Sequence, residues 1–126
     1  LVTGGSRARV SSMVIVRGSV PLLWQEADSF MALKPRPELE EEARHLAPCR
    51  MHLSALTRAY GRVDLLSLIE EAEGSSEAKL GTMLQRTIAA LQAEGSCGDV
   101  RYHAFDFHKR CGKLSFQDLP LLLDVC

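Results

Sequence analysis

The chain of 126 residues has no apolar run long enough to cross a bilayer. Its longest runs, Met13 to Val16 and Leu119 to Leu123, fall far short of the roughly 20 residues that a spanning helix needs. It also lacks an excess of either charge: 15 Lys+Arg against 16 Asp+Glu leave a formal net charge of −1. That removes the uniform positive field on which non-specific nucleic-acid binding rests, so no nucleic-acid partner is expected. The four cysteines, Cys49, Cys97, Cys111 and Cys126, are irregularly spaced in a chain with ample apolar content, which argues against a disulfide scaffold and for a reducing compartment. There is no internal repeat and no charged-then-apolar leader; the chain starts at Leu1 in apolar sequence and reads as a piece of something longer. What is present is 46% hydrophobic residues, enough for the core of a single domain.

Local patterning predicts alternating strands and helices. Ser11 to Arg17 (SSMVIVR) is β-branched and closed by Gly18 and Pro21, the signature of a buried strand over 11–17. Pro35 and Pro37 make Leu33 to Leu39 a linker or an edge. Leu39, Ala43 and Leu46, then Leu53, Leu56 and Tyr60, form a helical stripe interrupted at Pro48 and stopped at Gly61, so a kinked or two-part helix is expected over about 39–60. Val63 to Ile69 reads as a second buried strand and Val100 to Phe107 as a third. Between them Ser76 caps a helix over 76–94, whose stripe is Leu80, Met83, Leu84, Ile88 and Leu91. Ser115 and Asp118 introduce a last helix over 116–125. The acidic Glu38 to Glu42 reads as a solvated helix start. This order implies an α/β fold with a mainly parallel sheet and helices on both faces.

Several familiar chemistries fail on their own spacing. Leu1 to Arg7 (LVTGGSR) looks like the first turn of a short-chain dehydrogenase, but Ala8 and Val10 stand where further glycines are needed. The Tyr-x-x-x-Lys of that family is also missing, since Asp64 follows Tyr60 and Asp106 follows Tyr102 at that interval. A thiolate in a phosphate-binding loop is commonly followed six residues later by arginine, yet Ala55, His103 and Gln117 occupy those places after Cys49, Cys97 and Cys111. His103, His108, Cys97 and Cys111 contain no paired C-x-x-C or H-x-x-x-H unit, so no metal site is assigned. The informative segment is Tyr102 to Cys111 (YHAFDFHKRC), where Asp106 and His108 share a face at the carboxyl end of the third strand. Ligands of open α/β sheets bind at that end, and Arg17 closes the first strand likewise, so Arg17, Asp106 and His108 are the candidate site residues.

Two stretches, RGSVPLLW (Arg17 to Trp24) and FDFHKRC (Phe105 to Cys111) followed by LPLLLD (Leu119 to Asp124), resemble the Sac-domain phosphoinositide phosphatases. His52-Leu53, Tyr60-Gly61, Leu66-Ser67-Leu68, Glu77 and Leu80 lie between them in the family's order, so the resemblance spans Ser11 to Asp124. The chain departs from the pattern at Gln25, which follows Trp24 directly, at Ser67, where asparagine is usual, and at Ile15, where glutamine is common. The resemblance implies metal-independent removal of phosphate from a phosphoinositide lipid headgroup, most closely phosphatidylinositol 4-phosphate, through a cysteinyl-phosphate intermediate and without a cofactor. It places the family's CxxCxxR loop beyond Cys126, so this chain supplies scaffold, with Arg17, Asp106 and His108 as supporting groups, and is expected to be inert alone. It further implies contact with a membrane surface through the parent protein, at the cytosolic face of the endoplasmic reticulum, Golgi or endosomes. The alternative is a non-catalytic lipid-binding or scaffolding module of the same family.

Overall fold

A computed structural model describes residues 12–27, 36–70, 72, 74, 75, 77–106 and 109. The helix expected over 116–125 and the opening glycine turn lie outside the described residues.

Two helices form the body. The chain enters the first through a 3-10 turn at Glu42–His45, which runs directly into α1, Leu46–Tyr60. Pro48 falls in the first turn of α1, the part of a helix that tolerates proline best, so the backbone changes helix type there rather than breaking. Leu39, which the periodicity assigned to this helix, belongs instead to a strand. The acidic run Glu38 to Glu42 therefore straddles a strand end and the 3-10 turn. Gly61 ends α1 with φ of 82°, its N–H donating to the Thr57 carbonyl at 2.8 Å. The second helix, α2, spans Ala78–Ala93. Its opening amides are met by Ser75, whose hydroxyl accepts from the N–H groups of Glu77 (3.1 Å) and Ala78 (3.4 Å), while the expected cap Ser76 lies outside the described residues.

The helices bury facing stripes. Cys49 and Leu53 of α1 meet Leu84, Ile88 and Leu91 of α2, and Leu22, Cys97 and Val100 complete the cluster. Burying one such leucine contributes about 1.5–3 kcal/mol, and six of these residues are aliphatic side chains contributed from distant parts of the chain.

The sheets are small. Strands β1 (Trp24–Glu26) and β2 (Pro37–Leu39) pair antiparallel, Trp24 opposite Leu39 and Glu26 opposite Pro37. Pro37 lacks an N–H and sits at the end of this pairing, in keeping with an edge position. Strands β3 (Val63–Ser67) and β4 (Val100–Ala104) pair parallel, from Val63 opposite Val100 to Ser67 opposite Ala104, with α2 as their crossover. Val63, Leu65 and Tyr102 pack on the helical core beside Val100. By strand alternation Asp64, Leu66, Arg101 and His103 occupy the opposite face.

The fold is thus α/β. One described sheet is antiparallel and one parallel, and both described helices join the core on one face of β3–β4. VDLLSLI reads as a buried strand, whereas Asp64 and the alternating Arg101 and His103 mark a polar second face. One correction concerns the strand expected over 11–17, of which residues 12–17 are described. Residues 12–20 have no regular structure, and Met13 to Val16 are exposed. β-branched side chains suit a pleated surface only when a neighbouring strand provides one, and no described strand lies alongside.

Candidate functional site

The carboxyl end of the parallel pair is built by β3 and β4 stopping together. Past Ala104 the N–H of Phe105 donates to the Ser67 carbonyl at 2.8 Å, extending the ladder by one bond. Phe105 is fully buried, which anchors the turn that follows. Asp106 comes next and is 9% exposed. Its Oδ1 accepts the Lys109 N–H at 2.9 Å, a local side-chain-to-backbone bond of the kind that starts a turn or helix. Asp106 therefore lies beyond the strand end and not within the strand expected over 100–107, because β4 stops at Ala104.

Of the other two candidates, Arg17 alone is described. Arg17 lies in the exposed irregular stretch, so it closes no strand, and no hydrogen bond or ion pair joins it to Asp106. His108 lies outside the described residues. The convergence of three polar groups expected from parallel adjacent strands fails at Arg17, because the first expected strand does not form among the described residues.

A second polar arrangement, not anticipated from spacing, occupies the open face of β3–β4. The His103 Nε2 lies 3.1 Å from Asp64 Oδ1, and the Arg62 Nε donates to Asp64 Oδ2 at 3.0 Å. The His103 hydrogen bond, with a smaller contribution from Arg62, holds the Asp64 carboxyl below the usual carboxylate range, against an opposing push from partial burial. Register explains the contact: His103 is directly opposite Leu66, one same-face step from Asp64. The signal was present in the alternation of the two strands but needed their register to be read.

His45 is a third residue that sequence reasoning missed. It is fully buried beneath the antiparallel ribbon. Its Nδ1 accepts the Leu23 N–H at 3.2 Å, which leaves Nε2 to donate to the Glu40 carbonyl at 3.0 Å. The ring thus satisfies one backbone group on each side of the ribbon.

Neither described cysteine suits nucleophilic attack. Cys49 and Cys97 are free and buried in the core. Burial, with a lesser contribution from Cys97, pushes the Cys49 thiol up to about 11, and burial likewise raises that of Cys97. A groove of about 400 Å³ runs along Leu22 to Gln25 and Glu38 to Glu40. Its acidic Glu38 and Glu40 have the wrong sign for a phosphate, and it lies on the ribbon, apart from the strand ends. Among the described residues no three His, Cys, Asp or Glu side chains gather as a metal site, and no helix is long and apolar enough to cross a membrane.

Comparison with known proteins assigns this framework. The SacI homology domain matches residues 2–112. The phosphatidylinositol-3-phosphatase SAC1 of Drosophila melanogaster is 35% identical over 116 residues, 92% of this chain and 18% of the fly protein. The SAC1-A phosphatidylinositol-3-phosphatase of Danio rerio is 30% identical over 115 residues, 91% of this chain and 18% of its own length. The phosphoinositide phosphatase SAC7 of Arabidopsis thaliana is 33% identical over 118 residues, 90% of this chain and 18% of the plant protein. The chain thus spans under a fifth of these relatives. No solved structure matches it significantly. With the family's domain matched along nearly the whole chain, from before the irregular stretch to beyond Asp106, the protein belongs to the SacI homology domain family.

Proposed function

We propose that these residues are framework for a phosphoinositide phosphatase. The observation that carries the reading is the SacI homology match over residues 2–112, together with relatives that are named as phosphatases of phosphoinositides. The reaction is a two-step transfer. A thiolate sulfur attacks phosphorus, forming an S–P bond as the P–O bond to the inositol oxygen breaks and that oxygen takes up a proton. Water then cleaves the S–P bond, releasing inorganic phosphate and restoring the thiolate. Loop amides and an arginine stabilise charge on the equatorial oxygens. The attacking cysteine and that arginine belong to a CxxCxxR loop outside these residues; the unreactive settings of Cys49 and Cys97 fit that division of labour.

Within this reading β3–β4 is part of a larger, mainly parallel sheet with helices on both faces, and its carboxyl end lies towards the phosphate. Asp106 positions the turn after β4 through the Lys109 amide, with His108 beside it, and Arg17 supplies positive charge for the loop or headgroup. The lipid is met at a membrane surface, on the cytosolic face of the endoplasmic reticulum, Golgi or endosomes. The closing blocks FDFHKRC and LLLD favour the 4-phosphate, whereas four of the relatives are named phosphatidylinositol-3-phosphatases.

The test is a chimera in which this chain replaces the matching segment of the fly phosphatase, assayed on vesicles carrying phosphatidylinositol 3-phosphate or 4-phosphate. Phosphate release within about tenfold of the parent is expected, with a loss of about tenfold or more on Asp106→Ala. The chain alone is expected to release none. A folded but inactive chimera, or turnover by the chain alone, overturns the proposal.

A further inference from the structure

The antiparallel ribbon is completed by a side chain. Trp24 lies opposite Leu39, so Leu23 and Glu40 are the next pair along. The Ala27 N–H donates to the Arg36 carbonyl at 2.9 Å, and bonded pairs recur at every second residue, so Leu23 and Glu40 occupy a place where two backbone bonds are exchanged. One of these is direct, the Glu40 N–H donating to the Leu23 carbonyl at 3.1 Å. The other is routed through the His45 imidazole. Its Nδ1 accepts the Leu23 N–H at 3.2 Å, and its Nε2 donates to the Glu40 carbonyl at 3.0 Å. A ring that accepts at one nitrogen and donates at the other is neutral, because an imidazolium has two donors and no acceptor.

We propose that His45 is an acid-released rung of this ribbon: a proton taken up at Nδ1 sets one N–H against the Leu23 N–H and frees β1–β2, while β3–β4 stays in place. Among the described residues nothing is placed to offset a charge on the ring. The ring is fully buried, and both of its partners are backbone groups. On the ribbon Glu26, Glu38 and Glu40 are exposed, and the Glu40 carboxylate is engaged by Arg44 at 2.7 Å. Glu42, on the same 3-10 turn as His45, is exposed as well. From α1 come the exposed Arg50 and the buried Cys49, whose thiol burial keeps protonated. The buried residues of α2 are uncharged, and its Lys79 and Arg86 are exposed. A buried charge without a counter-ion is costly, so the ribbon yields before the ring is protonated in place. The released state binds one more proton than the latched one. The latch is therefore complete above the imidazole range, at about pH 6.5, and weakens as pH falls through it.

Amide hydrogen exchange of the full 126-residue chain, read as protection factors between about pH 7.5 and about pH 5.5, tests this. Protection of the Leu23, Ala27 and Glu40 amides should fall about tenfold over that range, the change that uptake of one proton produces. The Val63 and Phe105 amides, which donate to the Asp99 and Ser67 carbonyls, should keep theirs. His45→Gln presents a carboxamide that accepts and donates as the neutral ring does but takes up no proton, so its ribbon should show no step. His52→Gln, at an exposed position of α1, should retain the wild-type step. The nitrogen-15 spectrum of the wild-type ring needs no variant: at about pH 7.5 His45 should be neutral and protonated at Nε2. A ribbon equally protected at both ends of the range, an equal loss in β3–β4, a step that persists in His45→Gln, or a ring protonated at Nδ1 at about pH 7.5 would each overturn the proposal.

Discussion

The two sheets have the same number of strands and are held together by opposite means. The parallel pair β3–β4 joins strands separated in sequence by the whole of α2, and its inner face is packed on the helical core. Gln92 of α2 strengthens the junction by donating to the Val100 carbonyl at 2.7 Å. The antiparallel pair β1–β2 has only three residues per strand, half of them exposed, and rests on one buried histidine beneath it. The pair with the more distant strands is the better braced. Loop-closure cost grows slowly with length, so it is readily outweighed by apolar burial, whereas a short ribbon has little area to bury.

That contrast can be broken from either side. Leu53→Ala removes a fully buried side chain from α1 and should cost about 2–5 kcal/mol in denaturant unfolding. Because Leu53 lies in the cluster that includes Leu22 and Val100, both sheets should lose hydrogen-exchange protection together. His45→Ala should cost about 2–4 kcal/mol by leaving the Leu23 amide and the Glu40 carbonyl without their partner. Here the effect should be unequal: amides of β1–β2 exchange faster while those of β3–β4 keep their protection. Equal loss in both would show that the ribbon and the body are one cooperative unit.

A smaller effect sharpens the view of how β4 is aimed. Gly98 sits just before β4 with φ of 77°, and a Cβ placed on it would lie 2.8 Å from the Thr57 Oγ1. Gly98→Ala should therefore destabilise by about 1–3 kcal/mol. Adding Thr57→Ala removes the Oγ1 and Cγ2 contacts but leaves the Cβ of residue 57 at 3.0 Å and the backbone strain, so part of the cost should remain.

The smallest expected change is on the polar face. Asp64 has a depressed pKa in the folded chain, so its contribution is present above the unfolded carboxylate value and is lost as pH falls through the folded one. Stability of the wild type should decline from about pH 4 downward through this group, and Asp64→Asn should flatten that limb of a melting-temperature profile. An unchanged acid limb would show that the His103 contact does not favour the ionised carboxylate.

How much of this was legible beforehand follows from how local each cause is. The stripe of α2 is a property of its own residues, so Leu80, Leu84, Ile88 and Leu91 read as buried and are buried. Asp106 was legible as a group near a strand end for the same reason. Met13 to Val16 misled because their pattern describes a strand only if a neighbour pairs with it, and pairing is a property of two segments. Arg17 left the candidate site with that strand. His45 was invisible because its partners, Leu23 and Glu40, become neighbours only once the ribbon turns back on itself. The Asp64–His103 contact needed a register that no single strand encodes.

The polar face of β3–β4 means that one short sheet obeys two different rules for substitution. At Val63, Leu65 and Val100 a replacement is judged by volume, because helices already fill the space beside it. At Asp64 and His103 it is judged by charge and donor pattern, because Asp64 is hydrogen-bonded to both Arg62 and His103. A saturation library across these strands would show a two-residue rhythm, size-selective and charge-selective positions alternating, and any second layer laid over the polar side would have to bring hydrogen-bonding groups of its own.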